Sequence, residues 1–349
     1  MKDIKWDISD IVLMPAEKSD INSRSECNVL KTFEHDLCLP LIASPMDTVI
    51  SKENYKIFIN NKIIPCIPRG LSKEYLIGNS YYFQSFGLCE IEKQLDTFEH
   101  SLRDNGAFYD YPNILIDMAS AHMGKLIPLI EKIKKNWPNI VLMVGNVANP
   151  ETFINLGNAG ADYVRCSVGT GAGCTTAANV SINYPLGSLI SECYELRKQY
   201  GLDTKIVADG GMRNYSDIIK ALALGADYVM IGSIFNKTIE SAGFNYLWKI
   251  RINNKIAETL WKWGFPIKKK YRGMSTKAVQ RSWGKSKLVT AEGITKYQDV
   301  EYTLEQWAEN FRDYLRSAMS YCNAKTLSDF IGKAQFVHIT NTARERFMK

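Results

Sequence analysis

Along the chain, short unbroken apolar runs alternate with longer stretches in which apolar positions recur three and four residues apart. The apolar runs lie at 39–46 (LPLIASPM), 63–68, 81–88, 113–119 (NILIDMA), 140–147 (IVLMVGNV), 163–168, 205–211 (KIVADGG) and 228–234 (YVMIGSI). Several are nearly continuous, as expected of parallel strands covered on both faces. Between them, Leu126, Leu129, Ile130 and Ile133 fall at helical spacing, with Pro128 near the helix start. Asn149-Pro150 opens another helix, at a position where the missing N–H of proline costs little. YSDIIKALALGAD forms a further one, stopped by Gly225. Eight strands with helices between them predict a (β/α)₈ barrel. The rival is a doubly wound open sheet, which the chain supports with no GxGxxG fingerprint.

Two segments fall outside this alternation. Residues 241–299 carry the charge-rich aromatic stretches LWKIRINNK and LWKWGFPIKKKYRG, then the polar run STKAVQRSWGKSK. That composition predicts a mobile flap and insertion, with Lys268, Lys269 and Lys270 as a solvated face. The tail TLEQWAENFRDYLRSAMSYC places Leu304, Trp307, Phe311, Leu315 and Met319 on one face, an amphipathic helix packing on the barrel. The 349 residues therefore read as a single barrel domain over 1–349.

Composition narrows the picture further. With 46% hydrophobic and 23% charged residues, a disordered or collagenous chain is excluded. The net charge of +6 is too dilute to indicate nucleic acid, though it suits an anionic small ligand. No apolar stretch is long enough to span a membrane, and MKDIKWDISD has no apolar signal core, so a soluble cytoplasmic protein is expected. The eight cysteines show no CxxC pair, and most read as reduced, buried small hydrophobes. The four histidines (His35, His100, His122, His338) are scattered without an HExxH pattern, which argues against a histidine metal site.

Chemistry in such a barrel sits on the loops that follow the strands. The most informative loop is GTGAGCTT, 169–176, whose alternate glycines allow a tight path that can face an ion or phosphate. Cys174 at its end is a candidate nucleophile; a Gly-rich turn with a buried cysteine is the other reading. Asp209-Gly210-Gly211 and Gly232-Ser233 follow the last two strands, where barrels commonly hold a phosphate. Asp209 could accept ribose hydroxyls, or simply cap a helix. Glu292, at the far end of the flap, is either a general acid or base or a surface glutamate.

Taken together and in order, these segments resemble the IMP dehydrogenase/GMP reductase family. The resemblance rests on WDISDIVLMPAEKSDINSRSEC, SPMDTV, IDMASAH, VGNVANPETFINLGNAGADYVR, GTGAGCTT, NYP, IVADGGMRNYSDIIKALALGADYVMIGS, YRGM, AEG and RSAMSYCNAKTLSDF. It implies a (β/α)₈ barrel that binds a purine nucleoside 5′-monophosphate and a nicotinamide cofactor, as a homotetramer. By position, Cys174 would attack C2 of the purine, with Thr176 beside it and Glu292 relaying a proton. Asp209 would hold the ribose, with Gly211, Gly232, Ser233 and Tyr271 around the phosphate and Gly273 also among the substrate-binding residues. Met46, Met274 and Ser275 would border the base, and Asp117, Ser120 and Asn146 the nicotinamide. Carbonyls of Gly169, Gly171 and Cys174 would bind a monovalent cation such as K⁺.

The resemblance divides over the branch. The interval 69–113 leaves no room for the inserted regulatory domain usual in the dehydrogenases. Their flap carries an Arg-Tyr pair that activates water; here the sequence reads Gln280-Arg281-Ser282-Trp283. The short flap and SRSEC are reductase-like, whereas SPMDTV, YRGM and RSAMSYC look more like the dehydrogenase. The balance favours a GMP reductase using NADPH. The alternatives are an IMP dehydrogenase using NAD⁺ without the regulatory domain, an enzyme for a modified purine nucleotide, or a catalytically weakened nucleotide-binding protein. The last two are motivated by Ala172 and Ala177, where the family usually has Ser and Arg. For a cofactor 2′-phosphate, Arg69, Lys285 and Lys287 are the candidates.

Overall fold

Eight parallel strands close on themselves in the computed structural model, which describes residues 4–70, 81–95, 113–282, 290 and 292–347. They are β1 Leu41–Ala43, β2 Ile64–Ile67, β3 Phe83–Phe86, β4 Asn113–Asp117, β5 Leu142–Val147, β6 Tyr163–Cys166, β7 Lys205–Asp209 and β8 Tyr228–Ile231. Each pairs with the next, and β8 closes on β1 through Val229↔Leu41, Met230↔Ile42 and Ile231↔Ala43. The predicted barrel is thus the observed one. Most of the apolar runs extend past the strand's C-terminal end, because those residues turn outward to build the loops above the barrel.

The connecting helices follow their sequence signals. Helix Leu126–Asn136 buries the four predicted residues and carries Pro128 in its first turn, where no intrahelical N–H is lost. Asn149 caps Pro150–Asn158 by accepting from the Glu151 N–H at 2.8 Å. Helix Tyr215–Ala223 is capped by Asn214 and ends before Gly225, whose φ of +120° suits glycine. Thr303 and Gln306 form a capping box that starts Leu304–Tyr321. This helix buries the predicted face, with the Trp307 ring stacked on Phe311 at 5.5 Å.

Among the described residues of 241–299, the lysine run departs from the expectation of a solvated face. Ile250–Ile252, Asn245–Leu247, Lys268–Arg272 and Thr295–Asp299 form a four-stranded antiparallel sheet in that order. Beside it lies helix Asn254–Lys262, and Ile239, Ala257, Ile267 and Val300 make a small core of their own. Strand alternation turns Lys269 inward while Lys268 stays exposed. The fully buried Lys269 Nζ donates to the Ser241 carbonyl at 2.5 Å. Burial lowers its pKa to about 7 against the opposing pull of Glu240. Arg272 ties this sheet to the loop after β1 through a two-pronged contact with Asp47, one arm at 3.1 Å. His100, Trp283, Lys285 and Lys287 lie outside the described residues.

Candidate active site

The loops at the C-terminal ends of the strands surround a cavity of about 470 Å³, a size typical of small-molecule sites. On one wall is Cys174, half-buried, whose thiol donates to Thr176 Oγ1 at 3.2 Å. The Thr176 hydroxyl in turn donates to Glu292 Oε2 in a short hydrogen bond. Two backbone bonds bring these distant segments together: Thr175 N–H to the Glu292 carbonyl at 2.8 Å, and Ile294 N–H to the Gly173 carbonyl at 3.0 Å. Gly273 lets the loops close this far, because a Cβ there would sit 2.3 Å from the Gly173 oxygen. Cys174 is the cysteine that lines this cavity; of the other seven, Cys89 is exposed and Cys322 half-buried elsewhere. Cys27, Cys38, Cys66, Cys166 and Cys193 are buried, and burial pushes the thiols of Cys38 and Cys66 up to about 12.

On the opposite wall, Arg165 projects upward from β6 between Asp117, which ends β4, and Asp209, which ends β7. Its Nη1 donates to Asp117 Oδ1 at 2.6 Å, while Nη2 and Nε donate to Asp209 Oδ2 at 2.8 and 3.2 Å. Asn146 Nδ2 adds a third donor to the same Asp209 oxygen at 2.6 Å. An irregularity in the β5–β6 register between Gly145 and Val147 places Asn146 here. Burial lowers the Arg165 pKa, but Asp209 and Asp117 outweigh it and the guanidinium stays charged.

A third group encloses the glycine-rich ends of β7 and β8. Tyr271 is buried, and its hydroxyl meets Met46 Sδ at 3.6 Å above Gly232. Burial, then the nearby Asp209 and Cys174, raise its pKa and keep it a neutral phenol. Gly169, Gly171, Gly211, Ser233, Met274 and Ser275 complete this side of the cavity. Of the predicted site residues that the structure describes, all line one cavity except Ser120, which is exposed beside the lining residue Ala119. His122 is used structurally: its Nε2 accepts from the Ala148 N–H at 3.1 Å, and its Nδ1 meets Thr152 Oγ1 at 3.0 Å. Among the described residues, no cluster of three or more His, Cys, Asp and Glu could hold a metal ion.

Sequence reasoning passed over Arg165. The available signal was a lone charge inside the apolar run YVRC, two residues from Tyr163 and so on the same strand face. A charge pointing into a barrel needs partners, which makes such a residue a marker of a polar site.

A family model for the IMP dehydrogenase / GMP reductase domain matches residues 109–346, more than half of the protein. The chain belongs to the IMP dehydrogenase / GMP reductase family. Relatives carry both names. A GMP reductase from Onchocerca volvulus is 26% identical over 357 residues, spanning 98% of this chain and 93% of that protein. An inosine-5′-monophosphate dehydrogenase from Borreliella burgdorferi is 32% identical over 385 residues, spanning 96% and 94%. Against the dehydrogenase of Chlorobaculum tepidum, 32% identical, the match covers 65% of this chain and 45% of that protein. Length thus loses its force as a branch criterion, because a dehydrogenase-named member of the family is matched over 94% of its length.

Proposed function

We propose that this protein is a GMP reductase, converting GMP, NADPH and a proton to IMP, ammonia and NADP⁺. The family is one of NAD(P)-dependent purine nucleotide oxidoreductases. The observation that carries the reading is the Cys174–Thr176–Glu292 hydrogen-bond chain at the cavity wall. Its donors all point from sulfur toward the carboxylate, so a proton leaving the thiol has a path to Glu292. The Cys174 sulfur adds to C2 of the purine. Glu292, now protonated, returns that proton to the departing amine, and a thioimidate remains on Cys174. The nicotinamide cofactor, when bound, supplies the hydride that replaces sulfur at C2.

The rest of the cavity is assigned to holding the two ligands. Asp209 accepts the ribose hydroxyls, and the N–H groups around Gly211, Gly232 and Ser233 with Tyr271 receive the phosphate. Met46, Met274, Ser275 and Gly273 border the base, and Asp117 and Asn146 face the nicotinamide. Ser120 belongs at most to the rim. The carbonyls of Gly169, Gly171 and Cys174 are the candidate cation contacts. The Gly171 oxygen already accepts the Cys174 N–H at 2.8 Å and keeps its second lone pair for such a contact.

IMP dehydrogenase is the second reading, favoured by the higher identity to the Borreliella protein over nearly full length. Against it stands the lack of the water-activating tyrosine expected beside Arg281, where the sequence continues Ser282-Trp283. The branches separate by absorbance at the nicotinamide band. Oxidation of NADPH with GMP, and no reduction of NAD⁺ with IMP, is the expected outcome. Reduction of NAD⁺ by IMP alone overturns the reductase assignment. Size-exclusion chromatography with light scattering tests the proposed homotetramer.

A further inference from the structure

Arg165 is the most thoroughly enclosed charge in the cavity, its side chain 7% exposed, and no step of the proposed reaction uses it. Its three donor nitrogens are divided between two carboxylates from different strands, Nη1 to Asp117 and Nη2 with Nε to Asp209. A planar guanidinium offers its donors in that fixed fork; an ammonium is a single point donor that could bond both carboxylates but not fix the direction of each. Gly145 makes room for it, since a Cβ there would lie 2.4 Å from the Arg165 Cβ. The bonding is one-sided on both acids. Asp209 accepts all its donors through Oδ2 and Asp117 through Oδ1. Among the described residues, the second oxygen of each receives no donor.

We infer that Arg165 is a positioning residue that fixes both pocket carboxylates so that each aims its second oxygen into the cavity, one for the nucleotide ribose and one for the nicotinamide cofactor. The inference rests on the proposed function, which supplies those two ligands. One guanidinium against two carboxylates leaves a formal excess of one negative charge. Such a cluster attracts hydroxyl and amide donors and turns a phosphate away, toward the glycine-rich side where Tyr271 stands. The carboxylate pair that Arg165 holds therefore orients the nucleotide end to end, and Asp209 of that pair takes the ribose.

The test compares GMP with 2′,3′-dideoxyguanosine 5′-monophosphate, and IMP with its dideoxy counterpart, binding to the full chain by calorimetry. Wild type should prefer the ribonucleotide by about 10-fold or more, the scale of hydrogen bonds to a charged acceptor. In Arg165→Gln the preference should collapse toward unity, because the ribose contact depends on the aim of Asp209; the ratio of the two affinities within each variant is the readout. KM for the reduced nicotinamide should rise in the same variant. Arg165→Lys keeps a charge without the fork and should fall between. A wild-type preference retained in Arg165→Gln, or an unchanged cofactor KM, overturns the inference. Should Arg165→Gln fail to fold by circular dichroism, Arg165→Lys decides alone: an undiminished preference overturns it. A wild type that binds no purine nucleotide, or ignores the ribose hydroxyls, overturns the functional reading instead, and this inference with it.

Discussion

The two ends of the barrel interior are built on the same strands and obey opposite rules. On β6, Tyr163 and Arg165 share one face; on β4, Leu115 and Asp117; on β7, Val207 and Asp209. At the lower end, Phe33, Phe83, Tyr163 and Tyr228 meet ring to ring, with centroids 5.4 to 6.5 Å apart. Phe33 enters from the hairpin Lys31–Phe33 and Asp36–Cys38, which closes that end. Two residues higher, the same faces carry a guanidinium, two carboxylates and an amide. Ring packing is non-directional and tolerates any neighbour of the right volume, so the lower end can be filled by composition. Charges taken out of water need particular partners at particular distances, so the upper end depends on register.

Four substitutions would break or sharpen that contrast. Cys174→Ala at the upper end should abolish turnover in the NADPH assay while leaving the melting temperature unchanged; measurable turnover would move the chemistry off this thiol. Glu292→Gln should lower kcat by about 10²–10⁴-fold, the range for a positioned acid or base, with nucleotide affinity near wild type. Phe83→Ala at the lower end should do the reverse. It should cost about 3–5 kcal/mol in denaturant unfolding, with activity per folded molecule preserved. If activity falls in proportion to stability instead, the two ends are coupled and the contrast fails.

The smallest effect concerns Lys31, a half-buried cation at the lower rim. Lys31 lies 4.1 Å over the Tyr228 ring, and its Nζ donates to the Asp227 carbonyl at 3.1 Å. Burial lowers its pKa below 10.5, against Asp227, which raises it. Between the folded value and 10.5 the unfolded chain binds more protons, so stability rises with pH across that interval and levels off above it. Lys31→Met should flatten this rise, read from melting temperatures up to pH 10.5. A slope equal to wild type would place the titration elsewhere.

Much of this was legible in the chain because the deciding signals are local. Each strand shows as a short apolar run between helices, and Asn149, Thr303 and Gly225 mark helix ends by chemistry confined to one turn. The glycines flanking Cys174, Asp209 and Ser233 announce themselves in the same way. The insertion misled for an equally physical reason. Its lysine run read as solvated, yet strand pairing with Asn245 turned Lys269 inward, where it bonds the Ser241 carbonyl.

Partner choice across long separations was decided only when the barrel closed. Thr176 and Glu292 are 116 residues apart, Arg165 and Asp117 48, Arg165 and Asp209 44. Sequence alone determined that eight strands would end in polar loops and that one cysteine would stand among glycines. Which carboxylate would reach that cysteine's threonine, and which arginine would hold the other two, depended on strand register and on the packing of the neighbouring sheet. Those quantities are properties of the closed fold, because a hydrogen bond selects its partner by distance and direction in space, and spacing along the chain carries neither.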